Sequence, residues 1–201
     1  MKNIDYIKDW LKKNLSSERY SHSLGCAQSA YELAKYYDLD SKKAYLAGLV
    51  HDCAKNMNND TLLDLIKNEI KEGFLSCELK NPKVYHAIAG PYIAKKEFEI
   101  DDKVILNAIR RHTIGSLDMT LFDKIIFLAD KIEPNTRDFE YSKVLYGYIQ
   151  DNSGIKGLDT ALLKCYSETI KSLVNRKLYI CPVTIDVYNN LQENVRDLLT
   201  D

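Results

Sequence analysis

A chain of 201 residues is long enough for one sizeable domain, or a domain with a short appendage, to bury a core without disulfide or metal staples. Lys and Arg total 28 against 29 Asp and Glu, so the net charge of −1 offers no field that selects nucleic acid, and no basic stripe with interleaved aromatics replaces one. Five scattered Cys without a C-x-x-C pair suit reduced thiols, and no uncharged run reaches the roughly 18 residues of a membrane span, so a dissolved, cytoplasmic protein is expected.

In chain order the apolar residues recur at helical spacing. Ile4, Ile7, Trp10-Leu11 and Leu15 mark a first helix, and a second runs from Arg19-Tyr20-Ser21-His22 through Leu24, Ala27 and Ala30-Tyr31 to Ala34. Asp40-Ser41 suit the cap of a third, which carries Ala44, Leu46, Ala47, Leu49 and Val50 into His51-Asp52, with Cys53 continuing its core stripe. Asn56 to Asp60 break the pattern; Asp60 is expected to cap a helix over Leu62-Leu63-Leu65-Ile66, and Gly73 to close it. A looser stretch over 74–84, containing Pro82, leads to helical runs at Tyr85 to Ala94 and Val104 to His112, the second stopped by Gly115.

Leu121 to Asp130 is apolar on two sides and therefore expected at the centre, until Glu133-Pro134 breaks it. Helical patterns over about 158–175 and from Val183 to Leu199 follow, with Lys177 to Ile185 a candidate for extended backbone. Strict period-two alternation is lacking, and Gly and Pro are few. The expected fold is all-α, one domain over residues 1–201, with a core over about 19–134 and further helices over about 135–201.

All four histidines, His22, His51, His86 and His112, fall on small or apolar faces of these helices, as does Asp130; Asp52 adjoins His51. A lone His in such a place is more often a hydrogen-bonded core residue, and a lone Asp more often a cap. Six together are the pattern by which a helical bundle builds a metal site, because side chains from facing helices converge. Imidazole and carboxylate without thiolate suit Fe, Mn, Zn, Co or Ni, and four His with two Asp exceed what one ion takes, so two ions are expected, with Asp52 able to bridge them.

Lys55, one turn beyond Asp52, reads equally as a solvated helix-end cation or as a phosphate contact. Arg19, Arg110, Arg111, Thr113 and Arg137 stand close in sequence to the metal-type positions and are otherwise ordinary surface or loop residues. No Gly-rich phosphate loop is present, so phosphates would be held by metals and cationic side chains. Cys53 lies on the core stripe, which disfavours a Cys–His nucleophile.

The ordered series His22, His51-Asp52, His86, His112, Asp130 resembles the HD-domain metal-dependent phosphohydrolases. The words Arg19-Tyr20-Ser21-His22-Ser23-Leu24-Gly25, His51-Asp52-Cys53-Ala54-Lys55, His86-Ala87-Ile88-Ala89-Gly90, Arg111-His112-Thr113-Ile114-Gly115 and Ile126-Phe127-Leu128-Ala129-Asp130-Lys131-Ile132-Glu133-Pro134 are similar to the bacterial YqeK subgroup. The likeness runs from about residue 19 to Asn190. It implies an HD-type helical bundle with a buried dinuclear centre, iron foremost, that cleaves diadenosine tetraphosphate symmetrically to two ADP.

By the same resemblance His22, His51, Asp52 and Asp130 would hold one iron, and Asp52, His86 and His112 the other. Asp52, Lys55 and Asp130 would serve the chemistry; Arg19, His22, Lys55, Thr113 and Arg137 would meet the substrate. The implied partner is a nucleotide, with a homodimer as an option and neither nucleic acid nor a membrane. The rival readings are an HD-type phosphohydrolase for another nucleotide and a nucleotide-binding regulator without turnover. The lack of a Gly-Tyr-Pro companion motif argues against cyclic-dinucleotide hydrolysis.

Overall fold

Asp40 accepts a hydrogen bond from the Lys43 amide at 2.9 Å and starts helix α3 (Ser41–Val50), as its position before an apolar run predicts. A computed structural model describes residues 1–151 and 154–197, and among them the chain is all helix, turn and loop, without a strand. Two helices precede α3: α1 (Ile4–Asn14), which buries Ile7 and Leu11, and α2 (Ser17–Tyr36), capped by Ser16. Next come α4 (Asn59–Leu65), α5 (Tyr85–Phe98), α6 (Lys103–Arg111), α7 (Leu121–Ile132), α8 (Phe139–Asp151), α9 (Ile155–Asn175) and α10 (Pro182–Asp197).

Several boundaries differ from the sequence expectation. Asn58, not Asp60, caps α4: its side chain accepts from the Asp60 amide at 2.8 Å, which leaves the Asp60 charge in the first turn, where the helix dipole favours it. α4 continues into a π-helical turn (Ile66–Ile70) that ends at Lys71 with φ +62°, two residues before Gly73. The stretch over 74–84 contains two short 3-10 turns, Glu78–Lys80 and Pro82–Val84.

Lys177 to Ile185 is extended at most over Leu178 to Cys181, which join no strand: Lys177 takes φ +53° in a turn, and Pro182, whose missing N–H costs nothing at a helix start, opens α10. Helix α8 was not anticipated as a separate element. Its buried residues are only Ser142, Leu145 and Ile149, and Phe139 is 74% exposed, so its apolar stripe is narrow and noisy. Leu198 and Leu199, included in the last expected helix, lie outside the described residues.

The centre is α7, as expected. Thr120 and Asp123 cap it reciprocally, and Ile125, Ile126, Phe127, Leu128 and Ala129 are all buried. α2, α3, α6, α8 and α9 all pack against it. α2 and α3 approach backbone to backbone at Gly48, where an added Cβ would lie 2.8 Å from the Cys26 carbonyl oxygen and 2.9 Å from the Ala27 Cα. Gly48→Ala must push the helices apart and should cost on the order of 1–3 kcal/mol in a urea titration; an unchanged midpoint would show that the contact yields freely. No helix of the described residues is long and apolar enough to cross a membrane.

Candidate metal centre

Five segments bring six side chains to one buried place. His22 stands within α2, His86 in the first turn of α5 and Asp130 near the end of α7. His51, Asp52 and His112 lie not on helices but just past the ends of α3 and α6. Each of those two histidines turns back on its helix: His51 Nδ1 is 2.7 Å from the Gly48 carbonyl and His112 Nδ1 is 2.6 Å from that of Ile109. A carbonyl only accepts, so the proton is on Nδ1 in both rings, and the imidazole satisfies one of the orphan acceptors of a helix end. That leaves each Nε2 facing inward.

The two oxygens of Asp52 divide the cluster. Oδ1 lies 3.1 Å from His86 Nε2 and 3.3 Å from His112 Nε2; Oδ2 lies 3.7 Å from His51 Nε2 and 4.0 Å from His22 Nε2. On the second side, Asp130 Oδ1 is 2.9 Å from His22 Nε2 and 3.7 Å from His51 Nε2. Ligand atoms of His22, His51 and Asp130 lie within 4.8 Å of one another, and so do those of His51, Asp52 and His112. His22 Nε2, His51 Nε2 and Asp52 Oδ1 are buried without a hydrogen-bond partner. Buried orphans of this kind are costly unless a cation meets them, so the residues fit a metal site.

The HD domain family matches residues 19–135 of the chain, the span that holds all six side chains. The chain belongs to the HD-domain family. It is 35% identical over 90% of its length, and 92% of the relative's, to a "Bis(5'-nucleosyl)-tetraphosphatase, symmetrical" of Halalkalibacterium halodurans. A protein of the same description from Bacillus subtilis is 34% identical over 89% of this chain and 92% of its own. Among solved structures, a "predicted HD superfamily hydrolase involved in NAD metabolism" from Clostridium acetobutylicum superposes with a TM-score of 0.88 at 37% identity, covering 96% of this chain and 99% of that one.

The charges of this HD centre are compatible with a bound cation. Burial alone would raise the Asp52 carboxyl, yet His51, His112 and His86 hold it well below the usual carboxylate range. Burial would likewise raise Asp130, and Lys131, His22, His51 and Arg137 hold it well below. Burial pushes His112 down to about 4 and lowers His86 as well, so both rings are neutral at pH 7 with lone pairs available. His51 goes the other way: against burial, Cys26 and the carboxylates of Asp52 and Asp130 raise it well above the usual imidazole range.

The cationic residues singled out in the sequence separate into two sets. Arg19 Nη1 reaches Asp52 Oδ2 at 3.4 Å, Lys55 Nζ lies 3.0 Å from His86 Nε2, and Arg137 donates to the Asp130 backbone oxygen at 2.6 Å and to its Oδ1 at 2.7 Å. Arg19, Lys55 and His86 line a cleft of about 350 Å³ together with Lys83. By contrast, Arg110 pairs with Glu78, and Arg111 with Asp118 and Asp123, so both act as structural ties. His22 is 1% exposed, its ring nitrogens directed at Glu133 and Asp130.

Two participants escaped sequence reasoning. Lys131 places Nζ 2.6 Å from Asp130 Oδ2. Glu133 is fully buried; its Oε1 accepts from His22 Nδ1 at 3.0 Å, and its carboxylate also takes the amides of Asn135 at 2.7 Å and Thr136 at 3.0 Å. The charge on Lys131 beside Asp130 was a readable signal. Glu133 read as a helix breaker because its partner is 111 residues away.

Proposed function

We propose that this chain hydrolyses diadenosine tetraphosphate symmetrically to two ADP, with two transition-metal ions, iron foremost, in the HD centre. One observation carries the reading: six buried donors fall into two half-sites that share Asp52, one oxygen to each side. His22, His51, Asp130 and Asp52 would hold one ion; His86, His112 and Asp52 the other. When bound, such ions supply an activated water at neutral pH and neutralise charge on phosphoryl oxygens.

The chain's own groups do the rest. Arg19, Lys55 and Lys83 line the cleft beside His86 and set cationic donors along a polyphosphate. Arg137 and Lys131 bracket the Asp130 carboxylate, one on each oxygen, and orient it.

The test is a titration of Fe(II), under anaerobic conditions, into chelator-stripped protein while diadenosine tetraphosphate turnover is followed. Activity should rise until two equivalents are bound; saturation at one equivalent, or activity in the stripped protein, would refute the paired-ion reading. Since Cys26, Asp52 and Asp130 favour the charged form of His51, whose proton must leave before an ion binds, metal affinity should rise about tenfold per pH unit for each proton displaced. Affinity that is flat between pH 6 and 8, measured against a competing chelator, would contradict this.

A further inference from the structure

Next to the metal centre lies a more enclosed cavity of about 270 Å³ whose lining includes Glu78, Thr113, Phe127, Lys131, Tyr166 and Tyr179. It adjoins the centre at two points: Thr113 follows His112 in the chain, and Lys131 holds Asp130 at 2.6 Å. Of the segment from Lys177 to Thr184, Tyr179, Cys181 and Thr184 reach it, whereas Ile180 and Pro182 do not. Phe127 and Tyr166 stack at 5.0 Å with planes 9° apart and form an aromatic wall.

Two buried polar atoms of this lining have no hydrogen-bond partner, Glu78 Oε1 and Thr113 Oγ1. Glu78 is 1% exposed. Its other oxygen is fully engaged, accepting from the Leu75 amide at 2.6 Å and from Arg110 at 2.5 Å. Leu75 and Arg110 line a neighbouring cleft that Glu78 also borders, while this cavity has Glu78 in its lining without either of them, and Oε1 is the Glu78 oxygen that neither engages. A buried carboxylate oxygen without a donor is a group built to meet one from a ligand.

We propose that this cavity is the base subsite for one end of the dinucleotide, and that Glu78 Oε1 selects adenine by accepting from its exocyclic amino group. The proposal rests on the nucleotide reading above and adds the base to it. The volume suits a purine with part of its ribose rather than a whole nucleotide, the aromatic wall suits a flat ring, and Thr113 offers a hydroxyl on the side nearest the metals. Hypoxanthine carries a carbonyl oxygen where adenine carries the amino group, so it would set acceptor against acceptor.

The geometry also dictates what glutamine would do at position 78. Both partners of Oε2 are donors, so in Glu78→Gln the amide oxygen must stay with them and the NH₂ must turn into the cavity. Acceptor becomes donor, and base preference should invert.

The experiment measures binding of ADP and IDP to metal-loaded protein by calorimetry. Wild type should bind ADP about 10-fold to 100-fold more tightly than IDP, the range of a hydrogen bond to a charged group, and E78Q should abolish or reverse that ratio. Should E78Q fail to fold by circular dichroism, the wild-type ratio and Tyr179→Ala decide, the latter weakening both nucleotides alike. An ADP to IDP ratio near one in wild type, or a ratio unmoved in folded E78Q, overturns the base subsite while conversion of diadenosine tetraphosphate to ADP keeps the parent reading intact. No ADP binding together with no turnover overturns both.

Discussion

Asp52→Ala should lower turnover of diadenosine tetraphosphate by about three orders of magnitude or more, because several kcal/mol of charge stabilisation depend on the paired ions it would bridge. Its two oxygens are the only groups that face both histidine pairs among the six, so alanine splits the centre and removes a donor from each half. Stability should change far less. Asp52 is buried and charged, held there by His51, His112 and His86 against its desolvation, and in metal-free protein its removal relieves that cost while it frees the partly exposed Arg19. Activity, bound metal and melting temperature measured on the same sample check this. Lost activity with a full complement of two ions would mean that Asp52 serves the reaction without binding metal.

Glu133→Ala should weaken metal binding by about 10-fold to 100-fold, the usual consequence of removing the group that orients a histidine ligand. The buried carboxylate accepts from His22 Nδ1 at 3.0 Å and so fixes both the ring's rotation and the nitrogen that keeps the lone pair. It is itself fixed by the amides of Asn135 and Thr136 and by the Thr136 hydroxyl, and His22 and Thr136 hold its carboxyl low against burial. Gly25 makes room for it: an added Cβ would stand 2.2 Å from Glu133 Oε2, so Gly25→Ala should displace Glu133 and reproduce part of the defect. Competition with a metal chelator gives the affinities. Unchanged affinity alongside a lowered melting temperature would reduce Glu133 to a packing role.

The parts of this centre that sequence reasoning reached are those whose signal is local. His22, His86 and Asp130 stand out because a polar residue interrupts an apolar helical face, and α7 is central because Ile125 to Ala129 leave it no polar side. Asp40 before an apolar run gives its cap away for the same reason. The placement of His51 and His112 past the ends of their helices was missed, since periodicity does not tell a last helical residue from one that folds back onto a carbonyl. Glu133, Lys131 and Glu78 matter through partners that only the tertiary fold supplies, and Glu78 sits in a stretch with no regular period at all. Helix α8 hid for the opposite reason: its exposed Phe139 and Val144 blur the three-residue stripe that packs.

The most direct test of the central claim is the product ratio from metal-loaded protein acting on diadenosine tetraphosphate in oxygen-18 water, separated by anion exchange and weighed by mass spectrometry. A centre that works on the middle of the tetraphosphate gives ADP alone, with half of the ADP carrying one heavy oxygen. ATP and AMP in equal amounts would contradict it.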